Sequence, residues 1–142
     1  MAIRVVLDTN VLRAGLWSRT GASFRLLELV RGRRVEPALS VPLVLEYEMV
    51  LKRQATELGL APSDIDGILD FLCEVGHHQR IHFLWRPSLR DPRDELVLEL
   101  AVAAGCRQII TFNGRDFAGS ERLGVEVVTP AKFLQTDRKS VV

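Results

Sequence analysis

Cysteine is nearly absent from this chain. Cys73 and Cys106 stand far apart with no second ligand pair beside either, which excludes a disulfide framework or a zinc knuckle and leaves core packing as the role of both. No apolar run approaches the length that a bilayer span needs, and no basic-then-apolar leader opens the sequence, so the expected location is the cytoplasm. Lysine is scarce: three of the nineteen basic residues are lysine and the other sixteen are arginine. Histidine occurs three times, as His77, His78 and His82, around the expected start of a strand. That position puts them on the wrong sheet edge for a site, with a structural role. No glycine-rich turn follows the first apolar run, where a dinucleotide site would need one; the residues there are "DTNVLRAG". Nor does a second acid stand two residues after Asp8, as an aspartyl-phosphate phosphatase would require, because that position is Asn10.

What is present is a globular composition. The 142 residues are 47% hydrophobic and 26% charged, enough for one domain with a real core. A net charge of +1 is no polycation. The cluster Arg31-Gly32-Arg33-Arg34 permits a nucleic-acid partner through arginine's forked donors, and a solvated surface accounts for it equally well.

Apolar runs alternate with helical patterns along the whole chain. Residues 3–7 read as a buried strand, and Thr9 and Asn10 start the helix that follows. A helical pattern covers residues 23–30, stopped by Gly32; residues 35–41 read as the second strand, and Pro42 starts a helix to about Gln54. The next helix opens at Pro62-Ser63-Asp64 and stops near Gly76. Residues 79–84 read as a third strand, and Asp91-Pro92 starts a helix through Ala104. Residues 107–111 and 125–129 are short strands, and residues 130–134 a last helical turn. This order predicts an α/β domain with a central, mostly parallel sheet between two helical layers. The segment "LVLEYEMVL" (43–51) is apolar nearly all round and is expected to be well buried.

Parallel strands bring their carboxyl ends to one edge, where open α/β sheets bind ligands. Asp8 follows the first strand. Glu46 and Glu48 lie early in the helix after the second, and helical phase does not choose between them. Asp91, Asp94 and Glu95 begin the helix after the third, and Asn113 and Asp116 follow the fourth. Capping explains Asp8 or Asp91 singly, yet four strand ends with acids or an amide on one edge ask for more. Converging oxygen donors suit Mg²⁺ or Mn²⁺, which activate water and stabilise the oxyanions of an in-line phosphoryl displacement. If a short helical turn starts at Asn113, that residue caps it and shares a face with Asp116.

The stretches "VVLDTNVL", "LSVPLVLEYEMVLKR", "DPRDELVLELAVAAG" and "IITFNGRDF" resemble, in order and over residues 3 to about 135, those of PIN-domain ribonucleases. The spacing is most similar to the toxin components of PIN-type toxin–antitoxin pairs. The resemblance implies a three-layer α/β/α PIN-like domain and a Mg²⁺- or Mn²⁺-dependent endoribonuclease leaving 5′-phosphate and 3′-hydroxyl ends. Asp8, Glu46 and Asp94 match the family's first three acids. At the fourth position the sequence departs from the pattern: many members carry aspartate where Asn113 stands, and Asp116 matches a second acid three residues on. Asp8, Glu46, Asp94 and Asp116 are then the catalytic and metal-binding acids, with Asn113 as a further, uncharged metal ligand. Thr9, Asn10 and Thr111 become residues that orient carboxylates and waters.

Arg13, Arg19 and Arg115, nearest the cleft by sequence, are the expected contacts to an RNA substrate. The reading adds a homodimer and a cognate antitoxin as partners. It places a single PIN domain at residues 1–136 and a flexible C-terminal tail at 137–142. The rival reading is a catalytically weakened PIN-fold module that binds RNA or a protein partner without cleaving; its motive is Asn113. Against it, three acids on one edge repel each other without a cation.

Overall fold

The first strand, β1 (Ile3–Leu7), is β-branched and apolar, and Val5, Val6 and Leu7 are fully buried. Burial without alternation is the mark of a parallel strand covered on both faces. The computed structural model describes residues 2–81 and 91–141, with side chains to residue 136. β1 is central in a five-stranded, wholly parallel sheet, flanked by β2 (Val35–Leu39) and β4 (Gln108–Ile110), with β3 (His77–His78) outside β2 and β5 (Glu126–Val128) outside β4. The helices are α1 (Thr9–Trp17), α2 (Ala22–Arg31), α3 (Val41–Arg53), α4 (Ala55–Leu58), α5 (Pro62–Val75), α6 (Pro92–Ala103) and α7 (Pro130–Val141). They cover the sheet in a three-layer α/β/α arrangement. None of the described helices is long and apolar enough to cross a membrane.

Helix starts follow local chemistry. The Ser40 hydroxyl accepts the Leu43 N–H (3.3 Å) with Pro42 in the first turn of α3, and the Asp91 carboxylate accepts the Arg93 N–H (2.9 Å) with Pro92 opening α6. On α3 the expected all-round burial is not found. Leu43, Tyr47 and Leu51 face the core, while Val41, Leu45 and Met49 are 73%, 58% and 49% exposed. A helix laid on one layer buries one arc, and an apolar sequence does not change that geometry. The two cysteines are free thiols, Cys106 in the core and Cys73 half-buried.

Several boundaries and elements differ from the sequence reading. β2, β4 and β5 are each two residues shorter than the apolar runs read there. The short α4 and two 3₁₀ turns, Gly114–Phe117 and Ser120–Leu123, lie in segments without apolar periodicity. α7 runs to Val141, where periodicity marked only one turn to Leu134; Phe133 is buried and the helix packs on α2. The third strand is His77–His78 rather than residues 79–84: Gln79, Arg80 and Ile81 are outside any strand, and residues 82–84 lie outside the described residues.

That last shift corrects the placement of the histidines. His77 and His78 pair with Ala38 and Leu39, level with the carboxyl end of β2 and so at the same sheet edge as the acids. They stand on the outermost strand, with β2 between them and β1, and their rings bond locally: His77 Nε2 to Gln79 Oε1 (3.0 Å) and His78 Nε2 to the Cys73 carbonyl (2.6 Å). His82 lies outside the described residues.

Gly76 sets this register. A Cβ there would lie 2.7 Å from Leu39 Cδ1, 2.7 Å from the Leu72 carbonyl and 2.8 Å from the Pro37 carbonyl, so the turn from α5 into β3 closes only over a bare Cα. Gly76→Ala is therefore expected to destabilise the fold by about 1–3 kcal/mol, the range for overpacking a rigid contact. Equilibrium urea unfolding measures this, and an unchanged midpoint would show that the β3 edge yields freely.

Candidate active site

The chain passes from β1 to β2 on one side and later returns to β4 on the other, so strand order reverses at β1. Open α/β sheets form their binding crevice at such a reversal, outside the carboxyl ends of the strands. Asp8 directly follows β1 there and Thr111 directly follows β4. Asp8 donates its N–H to the Ile110 carbonyl (3.0 Å), which extends the β1–β4 pairing by one residue. Its carboxylate is held from three directions. Oδ1 accepts the Thr9 N–H (2.9 Å), while Oδ2 accepts the Thr111 hydroxyl (2.7 Å) and the Asn10 amide (3.4 Å). Thr111 Oγ1 also accepts the Asn113 N–H (3.0 Å), and Asn10 Oδ1 accepts the Phe112 N–H (3.4 Å). Thr9, Asn10 and Thr111 thus each donate a hydrogen bond to a carboxylate at this edge of the sheet.

The ambiguity on α3 resolves in three dimensions. Glu46 Oε2 accepts the Thr9 hydroxyl (2.8 Å), which puts it beside Asp8. Glu48 turns the other way, to Lys52 (3.0 Å), which also binds Asp66 of α5 (2.7 Å). Between them, buried Tyr47 donates its hydroxyl to the Leu7 carbonyl and so locks α3 to the last residue of β1. Burial, and after it the charges of Asp8 and Glu46, push the Tyr47 phenol well above its ordinary range, so it stays a donor. Tyr47 had no role in the sequence reading. The available signal was a lone phenol inside an aliphatic helix, which needs a hydrogen-bond partner.

Asp94 sits in the first turn of α6, half-buried. Desolvation first, then the charges of Asp116, Asp91, Asp8 and Glu46 in that order, raise its pKa to about 6. Burial also raises Asp8, against the hydrogen bonds from Thr111 and Thr9, and Asp116 raises it further. One electrostatic field therefore joins Asp8, Glu46, Asp94 and Asp116. Asp116 lies in the 3₁₀ turn Gly114–Phe117 and donates its N–H to the Asn113 carbonyl (3.0 Å). Asn113 is exposed and flanks that turn, but its side chain does not cap it as expected; the Asn113 N–H is instead tied back to Thr111.

Among the described residues, no three His, Cys, Asp or Glu side chains stand close enough to enclose an ion as they are. The donor set nonetheless fits a hard divalent cation. It is all oxygen and gathers several like charges at a partly buried crevice, where burial first and neighbouring carboxylates after it raise the pKa values of Asp8 and Asp94. The arginines divide. Arg13 is engaged inside the protein, its Nε donating to Gln54 Oε1 and its Nη2 lying 3.7 Å from Glu57. Arg19 and Arg115 are exposed.

The raised acid carries a stability consequence. Asp94 ionises near 6 when folded against an ordinary 3.8, so the stability it lends is complete below about pH 4 and is lost as pH rises through 6. In EDTA at pH 7.5, Asp94→Asn should melt higher than the parent protein. After discounting for the solvent that reaches a half-buried side chain, the gain is about 1 kcal/mol, and it should vanish near pH 4. Calorimetric melting across that range checks it; a gap that ignores pH would mean the carboxylates do not share a field.

No sequence match is found among curated proteins. The model of the PIN domain family matches residues 4–115, from within β1 into the Gly114–Phe117 turn, a span that contains Asp8, Glu46, Asp94 and Asn113 and stops one residue short of Asp116. With the wholly parallel sheet and its three-layer build, that match establishes that the chain belongs to the PIN domain family and carries a nuclease-type fold.

Proposed function

We propose that the protein is a Mg²⁺- or Mn²⁺-dependent endoribonuclease, organised as one PIN domain over residues 1–136, with residues 137–142, into which α7 continues as far as Val141, as its C-terminal tail. The observation that carries this is the shared field of Asp8, Glu46, Asp94 and Asp116 at the strand-order reversal, with Asp8 held by three donors. In this reading those four carboxylates and the Asn113 amide hold the ion. When bound, the ion supplies the positive charge that activates a water and offsets the oxyanions of an in-line phosphoryl displacement. The chain's own residues do the positioning. Thr9 restrains Glu46, Thr111 and Asn10 restrain Asp8, and Tyr47 keeps α3 from drifting off β1. The exposed Arg19 and Arg115 take RNA phosphates, and Arg13 steadies the α3–α4 junction.

The resemblance to PIN-type toxins supports a homodimer that acts as the toxin half of a toxin–antitoxin pair. The exposed stripe Val41, Leu45 and Met49 on α3 is an apolar surface open to a protein partner. Sedimentation at micromolar concentration decides the dimer.

With Mn²⁺ the purified protein should cleave structured RNA to 5′-phosphate and 3′-hydroxyl ends and stop in EDTA, and Asp8→Asn should lose cleavage while remaining folded. Intact RNA under those conditions, with a folded parent protein, would leave only a binding role. The fourth position is tested separately. Asp116 brings a charge that acts on both Asp8 and Asp94, whereas Asn113 brings none. Asp116→Asn should therefore weaken Mn²⁺ binding by roughly tenfold or more, and Asn113→Asp should strengthen it or leave activity unchanged. Titration calorimetry of the two variants decides, and a harmless Asp116→Asn beside an inactive Asn113→Ala would reverse the two roles.

A further inference from the structure

Phe112 is 49% exposed, although it lies between two residues fastened to the acidic crevice. On one side Thr111 donates to Asp8, and on the other the Asn113 N–H returns to Thr111. The Phe112 N–H itself is held by Asn10 Oδ1. Its backbone is therefore anchored at three successive residues to the network that orients Asp8. A large ring is presented to water from a rigid base at the rim of the site. The bend after β4 is held by these backbone bonds, and about half of the Phe112 surface is left in water. Trp17, also exposed, ends α1 and stands roughly 12 Å along that helix from Thr9.

A cluster of carboxylates is a poor receptor for a polyanion. Asp8, Glu46, Asp94 and Asp116 repel phosphate, and an ion offsets that repulsion at one point only. Neighbouring nucleotides need an attraction indifferent to charge, and a base lying on an aromatic face supplies it. We propose that Phe112 is the platform on which a base next to the scissile phosphate stacks. This rests on the ribonuclease reading above. Arg115, three residues on and exposed, is placed to take the phosphate of the stacked nucleotide.

The test uses a short single-stranded oligoribonucleotide and a series in which each nucleotide in turn is replaced by an abasic ribose, with Mn²⁺ present. Phe112→Ala should lower kcat/KM on the intact strand roughly tenfold, the loss expected on removing one stacked base. Melting temperature and Mn²⁺ affinity should stay at parent values, and Phe112→Trp should keep most of the activity. One abasic position should cost the parent protein as much, and at that position Phe112→Ala should add no further loss. Equal cleavage by Phe112→Ala and parent overturns the proposal and leaves the ring as a contact for a protein partner. So does a loss of the same size on every abasic strand, or a fall in melting temperature that accounts for it. A folded parent protein that cuts none of the strands overturns the ribonuclease reading itself, and this inference with it.

Discussion

The hydrogen bond from the Thr111 hydroxyl to Asp8 joins the ends of β1 and β4, the two strands between which the order of the sheet reverses. An isolated carboxylate at a strand end swings freely and ionises like any other. Here it is pinned by a hydroxyl on the neighbouring strand, an N–H on its own helix and an amide one residue further on. Those bonds favour the charged form, burial and Asp116 disfavour it, and the balance leaves Asp8 raised. The bonds fix the direction of the Asp8 carboxylate, and burial together with the neighbouring charge of Asp116 strengthens its hold on a proton.

Tyr47 extends the same constraint to the second helix. Its hydroxyl reaches back to the Leu7 carbonyl, the peptide just before Asp8, so α3 cannot slide without breaking a buried bond. The neighbouring Glu46 is thereby fixed relative to Asp8, and Thr9 completes the link through its own hydroxyl. Asp8 and Glu46 sit on separate elements, yet both are set by bonds that converge on residues 7–10, while Asp94 sits in the first turn of α6. Asp116 differs. It rides on a 3₁₀ turn that Thr111 ties back only through the Asn113 N–H, and it is exposed. The site therefore has a stiff side and a looser one, and the departure from the family's pattern at Asn113 falls on the looser side.

Much of this was legible in the sequence because parallel sheets write themselves plainly. Buried strands read as unbroken apolar runs, and residues after such runs must share an edge, so Asp8, Asp94 and Asn113 could be grouped before any coordinates. What was not legible depends on contacts between distant segments. Helical phase leaves Glu46 and Glu48 flanking one apolar arc; the family resemblance picks Glu46, and the Thr9 hydroxyl on one side and Lys52 on the other show the two parting. Arg13 looked like a free cation because its partners, Gln54 and Glu57, lie some forty residues on. The histidines were put on the wrong edge because β3 begins as soon as Gly76 lets the chain press against Pro37 and Leu39, a matter of a missing Cβ that no periodicity records.

The exposed apolar residues follow a related logic. Val41, Leu45 and Met49 on α3, like Phe112 after β4, are positions where the sequence is more hydrophobic than the fold requires. Periodicity assigns such residues to the core by default, so a pattern-based reading misplaces them for the same reason that they are informative. A stable domain keeps few large apolar side chains in water unless something outside it uses them. Among the described residues these four fall in two places, a stripe along one helix and a single ring beside the acids, while Trp17, Val102 and Leu123 are exposed elsewhere. The stripe has the width of a protein contact, and the ring has the size of one base. The two therefore call for different kinds of partner, and only the ring is bonded through its backbone to the residues that hold Asp8.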